Sequence, residues 1–199
     1  KYQNNPKKNI LLGDSKADGL FYHIESPDWS NLSYGGASLK EMIQTFWFTV
    51  QKIKLDTVIM GINLNHYNKF NKRFWIEETL ERNNSFFSYA FSKYVFRSTF
   101  LIVKSHFSKK EIILGIPPFS KEEFWQFQLN QTATKFYDHF AYPDKYFEDL
   151  KEIANYCNRH DIKLILWIPP THIDFQNRKI DFRLQQADAK FVSDLQLIG

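Results

Sequence analysis

Three short apolar segments, each ending in glycine, constrain the fold of this chain more than any other feature of its sequence. They are Asn9–Gly13, residues 31–36 and Thr57–Gly61. Runs of this length that stop at glycine are typical of buried strands leading into turns. Small and polar residues follow each run, so we predict three strands whose ends carry the functional groups.

Helical patterns alternate with these strands. Ser38 with Glu41 three residues later has the spacing of a capping box, and residues 39–53 place apolar side chains at helical intervals. Residues 144–160 form an amphipathic pattern that leads into an apolar run at 162–168. This alternation predicts an α/β domain with a doubly wound, mostly parallel sheet in a three-layer sandwich, and a site at the carboxyl ends of its strands.

The domain organisation is predicted from length and from aromatic content. We expect a single domain over residues 1–199 with an aromatic-rich helical insertion at about residues 71–107. The segment 86–107 is open to three interpretations: a core helix, a lid or lipid-facing element, or a partner surface. The chain starts at Lys1 and stops abruptly at Gly199, so we also expect a truncated C-terminus and an N-terminal leader or anchor removed before Lys1.

Composition excludes several classes of protein. The chain is 43% hydrophobic and 18% aromatic with a net charge of +4, which excludes a disordered chain. Its basic residues are scattered, so we expect no nucleic-acid partner, and no run of eighteen apolar residues predicts a membrane span. Cys157 is the single cysteine, which excludes an internal disulfide and a thiolate zinc cluster. We predict no metal and no cofactor.

Polar residues with catalytic chemistry follow the three strands. Gly13, Asp14 and Ser15 come directly after the first strand, where a serine hydroxyl faces the site and backbone N–H groups stabilise negative charge. Gly36 follows the second strand, and Asn63 follows the third. Because the carboxyl ends of parallel strands meet at one edge of a sheet, we expect these turns to lie together.

The same residues resemble the motifs of the SGNH (GDSL-like) hydrolase superfamily. That family has a Gly-Asp-Ser block after its first strand, an Asn-x-x-x-x-Gly block after its second and a Gly-x-Asn block after its third. The resemblance implies that Ser15 is the nucleophile. It also implies that the backbone N–H groups of Ser15 and Gly36 and the side-chain amide of Asn63 form the oxyanion hole. Leu64 departs from the family pattern, which usually has Asp at that position.

The base that the resemblance requires is not identified by a matching motif. The family uses an Asp-x-x-His block near the C-terminus, and three sources of a base remain open here. The block lies beyond Gly199, or His172 with Asp174 serves, or His139 with Asp138 does, although that pair reads as a solvated turn whose side chains point apart. A domain that has no base and only binds its ligand is the remaining alternative.

Other residues have two interpretations each. His66 lines the substrate pocket or lies in a surface loop, and Lys16 steers an anionic substrate or is solvated. Asp14 is expected to stabilise the turn rather than to transfer protons. Cys157 is expected in the core. Tryptophan side chains either stack on sugar rings or pack in the core: Trp47, Trp75 and Trp125.

These observations and the resemblance together give the functional prediction. We expect a serine esterase or O-acyltransferase that acts on small, acetyl-like acyl groups of cell-envelope carbohydrate, located in the envelope or periplasm rather than the cytoplasm. The alternative is an inactive SGNH-like domain that binds a glycan or a partner protein.

Overall fold

The computed structural model describes residues 6–24, 26–71 and 120–199 of the chain. The chain forms two compact units, one of residues 1–73 and 127–199 and the other of residues 74–126. Only the helical segment at 120–126 of the second unit is described. Apart from residue 71, the predicted insertion at about 71–107 lies outside the described residues, as does Trp75.

Four strands and six helices make up the described part of the chain. The strands are β1 (Asn9–Gly13), β2 (Trp29–Asn31), β3 (Thr57–Gly61) and β4 (Lys163–Trp167). The helices are α1 (Ser15–Phe21), α2 (Leu39–Val50), α3 (Lys121–Thr132), α4 (Lys145–Arg159), α5 (Ile173–Asp181) and α6 (Gln185–Ile198). A 3₁₀ turn, Leu64–His66, follows β3, and a π-helical turn, Ala133–Tyr137, follows α3.

The four strands form one parallel sheet in the order β2-β1-β3-β4. Strand residues alternate between the two faces of a sheet. On one face, Ile10 and Leu12 of β1 belong to the main hydrophobic core, together with side chains from α2, α4 and α6. Leu11 is fully buried but lies outside that core, on the face that α1 covers. The predicted α/β class is thereby confirmed, and helices on both faces are consistent with a three-layer fold.

Helix α1 lies very close to the sheet because two strand-end glycines face it. A side chain on Gly61 would place its Cβ 2.6 Å from the Cβ of Ala17, and one on Gly13 would meet the same atom. Such distances are well below van der Waals contact, so any larger residue would push the helix away. This close packing holds α1, whose first residue is Ser15, against β1 and β3.

Several local predictions are confirmed. The predicted bounds of β1 and β3 match those observed, and β4 and α4 differ from prediction by one residue at each end. The capping box is present: the Ser38 hydroxyl accepts from the Glu41 backbone N–H, and the Glu41 carboxylate accepts from the Ser38 backbone N–H. Within the described residues, no helix combines the length and apolar character needed to cross a membrane.

The second strand was predicted in the wrong place. It covers Trp29–Asn31 rather than residues 31–36, because the side chain of Asn31 accepts from the Ser33 backbone N–H and turns the chain. The turn stays beside β1, since Tyr34 donates its N–H to the Gly13 carbonyl at 3.2 Å. The residues up to Gly36 are therefore a loop held against the end of β1.

Candidate functional site

The strand order places a crevice at the carboxyl ends of β1 and β3. The central strands β1 and β3 end together, since Gly13 is paired in register with Gly61. Helix α1 packs on one face of the sheet, and α2 packs on the other. In open parallel sheets, ligands bind where the connections diverge in this way. The turn that begins at Asp14 and the turn that begins at Ile62 form the two walls of this crevice.

A buried polar network joins these two turns. The Asp14 carboxylate caps α1 by accepting from the Lys16 backbone N–H at 2.9 Å. Its other oxygen, Oδ2, lies 3.2 Å from Asn63 Nδ2 and 3.2 Å from His66 Nε2. Asn63 and His66 are only 6% and 3% exposed. Asn63 and His66 follow Asp14 by 49 and 52 positions in the chain, and both are bonded to its carboxylate.

The hydrogen bonds determine the tautomer of His66. Its Nδ1 atom accepts from the Asn63 backbone N–H at 3.2 Å, so the ring proton of the neutral form is on Nε2. Nε2 then donates to Asp14. Because both ring nitrogens are engaged, His66 has no lone pair left to receive a serine proton. Its place is that of a positioning residue that fixes Asp14 and the Asn63 turn.

Charges in the network favour an ionised Asp14. Burial alone raises the pKa of this carboxyl, but the hydrogen bond from His66 and the charge of the nearby Lys16 oppose burial, and the pKa is held below its ordinary value. The Lys16 ammonium is 3.9 Å from Asp14 Oδ2. Burial lowers the pKa of Lys16, and the Asp14 charge opposes that shift. Lys16 is thus a half-buried partner of the network and not the solvated lysine that was one alternative.

Ser15 and Gly36 lie at the mouth of the crevice. Ser15 is exposed, and Gly36 has a φ of 82°, a left-handed conformation that glycine adopts without strain. Within the described chain, neither the Ser15 N–H nor the Gly36 N–H has a hydrogen-bond partner. The loop that carries Gly36 is tied to α1, since Asn31 Nδ2 donates to Asp18 Oδ1 at 2.5 Å.

The side-chain amide of Asn63 has a defined orientation. Its Oδ1 accepts from the Asn65 backbone N–H at 3.1 Å, which turns Nδ2 towards Asp14. An amide nitrogen carries two hydrogens. One is donated to Asp14, and the second has no acceptor within the described residues.

Two adjoining cavities open at the site. The first, here called the Ser15 cavity, has a volume of about 250 Å³. Its walls include Asp14, Ser15, Lys16, Gly36, Asn65, His66, Asn71, Gln128, Gln131, Lys135, Phe136 and Phe175. The second, here called the Phe191 cavity, has a volume of about 290 Å³. Its walls include Lys16, Asn63, Leu64, Asn65, Ile168, Thr171, Phe175, Gln176, Lys179, Asp188, Phe191 and Val192.

The structure brings some of the sequence-predicted site residues together and leaves others apart. Ser15, Gly36 and His66 line the Ser15 cavity, whereas Asn63 lines the Phe191 cavity. His172 lines neither of these two cavities. It is the exposed N-cap of α5, where its Nδ1 lies 3.3 Å from both the Asp174 N–H nitrogen and the Asp174 carboxylate.

The structure also decides between the alternatives for several other residues. The surface-loop alternative for His66 is wrong because its ring is buried in the network described above. His139 and Asp138 were expected to point apart, but their side chains meet at 3.4 Å, both exposed to solvent. Cys157 is buried, as predicted. Trp47 makes edge-to-face core contacts with Phe46 and Tyr156, which confirms the packing interpretation for that residue.

Sequence reasoning missed the role of His66 in holding Asp14. The available signal was its position five residues after Gly61, at the same sheet edge as Asp14.

In the described segments, no group of three or more His, Cys, Asp or Glu side chains is arranged to hold a metal ion. The chain matches no family model, no curated protein and no solved structure.

The lowered pKa of Asp14 predicts an acid-sensitive fold. Its ionised form is favoured in the folded state, so its contribution to stability is complete above the ordinary Asp pKa of about 3.9 and is lost as the pH falls through the lower folded value. Urea unfolding at pH 7 and pH 3 should show a larger loss of unfolding free energy for the wild type than for Asp14→Asn. The control is Asp161→Asn, at an exposed position with φ of 57° that asparagine tolerates. Parallel pH profiles for wild type and Asp14→Asn would contradict the assignment.

Proposed function

We propose that this chain is an SGNH-type serine esterase or O-acyltransferase that acts on small acyl groups carried by carbohydrate. The observation that carries this proposal is the position of Ser15. Its side chain is exposed at the start of α1 and lines a cavity together with Gly36, and the backbone N–H groups of both residues are unpartnered within the described chain. The β2-β1-β3-β4 order also agrees with an SGNH or flavodoxin-like topology.

The proposed reaction proceeds in two steps. Ser15 Oγ attacks the acyl carbon while His172 takes the hydroxyl proton, and the N–H groups of Ser15, Gly36 and Asn63 bind the oxyanion. The bond from the acyl carbon to the sugar oxygen then breaks, and His172 passes its proton to that oxygen. In the second step, water (or a second hydroxyl, in a transferase) attacks the acyl-enzyme and gives a proton to His172. The bond between Ser15 Oγ and the acyl carbon then breaks, and His172 returns the proton to Ser15.

His172 is proposed as the base because of its location and its carboxylate neighbour. It follows β4, whose carboxyl end is at the same edge as that of β3. Phe175, one helical turn later, places its ring centroid 6.0 Å from Lys16 Nζ, beside Ser15. Asp174 Oδ2 lies 3.3 Å from His172 Nδ1, but this nitrogen accepts from the Asp174 backbone N–H, so a neutral His172 must release that bond and change tautomer to act as the base. His66 is a poorer candidate, since its ring is buried and its Nε2 atom is bonded to Asp14.

The lining of the Ser15 cavity supports a hydroxyl-rich substrate. In the described chain, the side-chain amides of Asn65, Asn71 and Gln128 have no hydrogen-bond partner. Amides provide both donors and acceptors for sugar hydroxyls. Phe136 and Phe175 add apolar ring surface to the same cavity.

Replacing His172 tests the proposal. Hydrolysis of an acetylated monosaccharide should fall by about a hundredfold or more in His172→Ala, because general-base catalysis contributes about that factor. His139→Ala is the matched control, since His139 is also exposed and also contacts a neighbouring carboxylate. Unchanged turnover in His172→Ala would reject His172 as the base. Equal losses in both variants would reject a specific role.

A further inference from the structure

The Phe191 cavity adjoins the Ser15 cavity at the point where an ester would react. Lys16, Asn65 and Phe175 line both cavities, and Asn63 lines the Phe191 cavity. An ester carbonyl that points its oxygen at the Asn63 amide has two substituents, the acyl chain and the alcohol. Each cavity is placed to receive one of them.

The polar groups of the Phe191 cavity are largely paired with one another. Lys179 forms an ion pair with Asp188, and Gln176 donates a hydrogen bond to the Thr171 hydroxyl. Groups satisfied in this way gain little from a polar ligand. The Ser15 cavity differs, because two of the unpartnered amides described above, Asn71 and Gln128, line it and not the Phe191 cavity.

Apolar side chains form another part of the Phe191 cavity wall, beside the polar Lys16, Asn63 and Asn65. Leu64 and Phe191 are buried, while Ile168 and Val192 are 42% and 37% exposed. A ligand that covers these exposed apolar groups removes their surface from water, which is favourable. The sugar therefore fits the Ser15 cavity better, and the acyl chain fits the Phe191 cavity better.

The size of the Phe191 cavity bears on the length of that chain. An acetyl group would place one methyl in a space of about 290 Å³ and leave most of it to water. A chain of several carbons would instead contact the apolar wall along its length.

We infer that the Phe191 cavity binds the acyl chain of the substrate, and that the preferred acyl group is a saturated chain of several carbons rather than acetyl. This inference depends on the proposed esterase function. It replaces the small, acetyl-like acyl group of that proposal with a longer chain, and it makes Val192 a residue that limits chain length.

The test is a series of p-nitrophenyl esters from acetate to dodecanoate. For the wild type, kcat/KM should rise by about fourfold per methylene until the cavity is filled, the factor expected for burying one methylene. Val192→Phe should lower the octanoate-to-acetate ratio of kcat/KM by about tenfold, because the larger ring occupies the cavity. Leu197→Phe, at a 74% exposed position of the same helix, should leave that ratio unchanged.

A binding measurement separates this inference from the esterase proposal. Sodium octanoate should bind to Ser15→Ala in calorimetry, and adding Val192→Phe should abolish that binding. Turnover that depends on Ser15 and is fastest on the acetate ester, with no octanoate binding, would refute acyl binding in the Phe191 cavity. The proposed esterase activity would stand. The opposite result is octanoate binding that Val192→Phe abolishes, together with no cleavage of any ester. It would support acyl binding in the Phe191 cavity and refute the proposed esterase activity. An octanoate-to-acetate ratio that Val192→Phe leaves unchanged would overturn the inference.

Discussion

Ser15→Ala is expected to lower kcat for ester hydrolysis by about a thousandfold or more, because it removes the atom that forms the acyl-enzyme. The same change should leave the melting temperature almost unaltered. Ser15 is exposed, and α1 is capped by Asp14 rather than by the Ser15 hydroxyl. Initial rates with p-nitrophenyl esters and a thermal melt of each protein provide the two measurements.

Ser193→Ala is the matched control for this experiment. Ser193 is an exposed helical serine of α6 that lines neither of the two cavities. It should retain wild-type turnover. Residual activity of Ser15→Ala within tenfold of the wild type would show that another group is the nucleophile.

Asn63→Ala should have the second largest effect, a loss of about a hundredfold or more in kcat, the usual cost of removing one oxyanion donor. The structure adds a second consequence. The amide also bonds Asp14 and the Asn65 backbone N–H, so the variant should lose about 1–3 kcal/mol of unfolding free energy. Kinetics must therefore be measured at a temperature where the variant remains folded.

Asn68→Ala separates the catalytic loss from the structural one. Asn68 is equally buried and equally bonded, donating to the Phe136 carbonyl at 2.9 Å and accepting from the Phe70 N–H at 3.1 Å. It lines neither of the two cavities. We expect Asn68→Ala to lose stability to a similar degree while keeping kcat. Equal losses of kcat in both variants would make Asn63 a structural residue only.

The strands that carry the site could be predicted from the sequence because their signals are local. β1 and β3 are short apolar runs that glycine ends, and the capping box of α2 depends on two residues three positions apart. Elements with weaker local signals were missed or misplaced. Helix α5 follows Pro169 and Pro170, which indicate a stop but not what comes after it. Helix α3 has almost no amphipathic pattern and was not predicted.

The network beneath Ser15 could not be predicted in detail because its contacts are long-range. Asp14 and His66 are 52 positions apart, and only the parallel pairing of β1 with β3 brings them together. The sequence predicted that the turns at Ser15, Gly36 and Asn63 meet at one edge. It gave no indication that Asp14 would connect two of them, or that Asn63 would face the neighbouring cavity.

The central claim is that Ser15 is an activated nucleophile, and covalent labelling tests it most directly. The folded protein should be incubated with a fluorophosphonate, digested and mapped by mass spectrometry. We predict a single phosphonylated peptide with the adduct on Ser15, absent from Ser15→Ala and from protein unfolded beforehand. No adduct on Ser15, or equal labelling of Ser15 and Ser193, would contradict the account and favour a domain that binds its ligand without cleaving it.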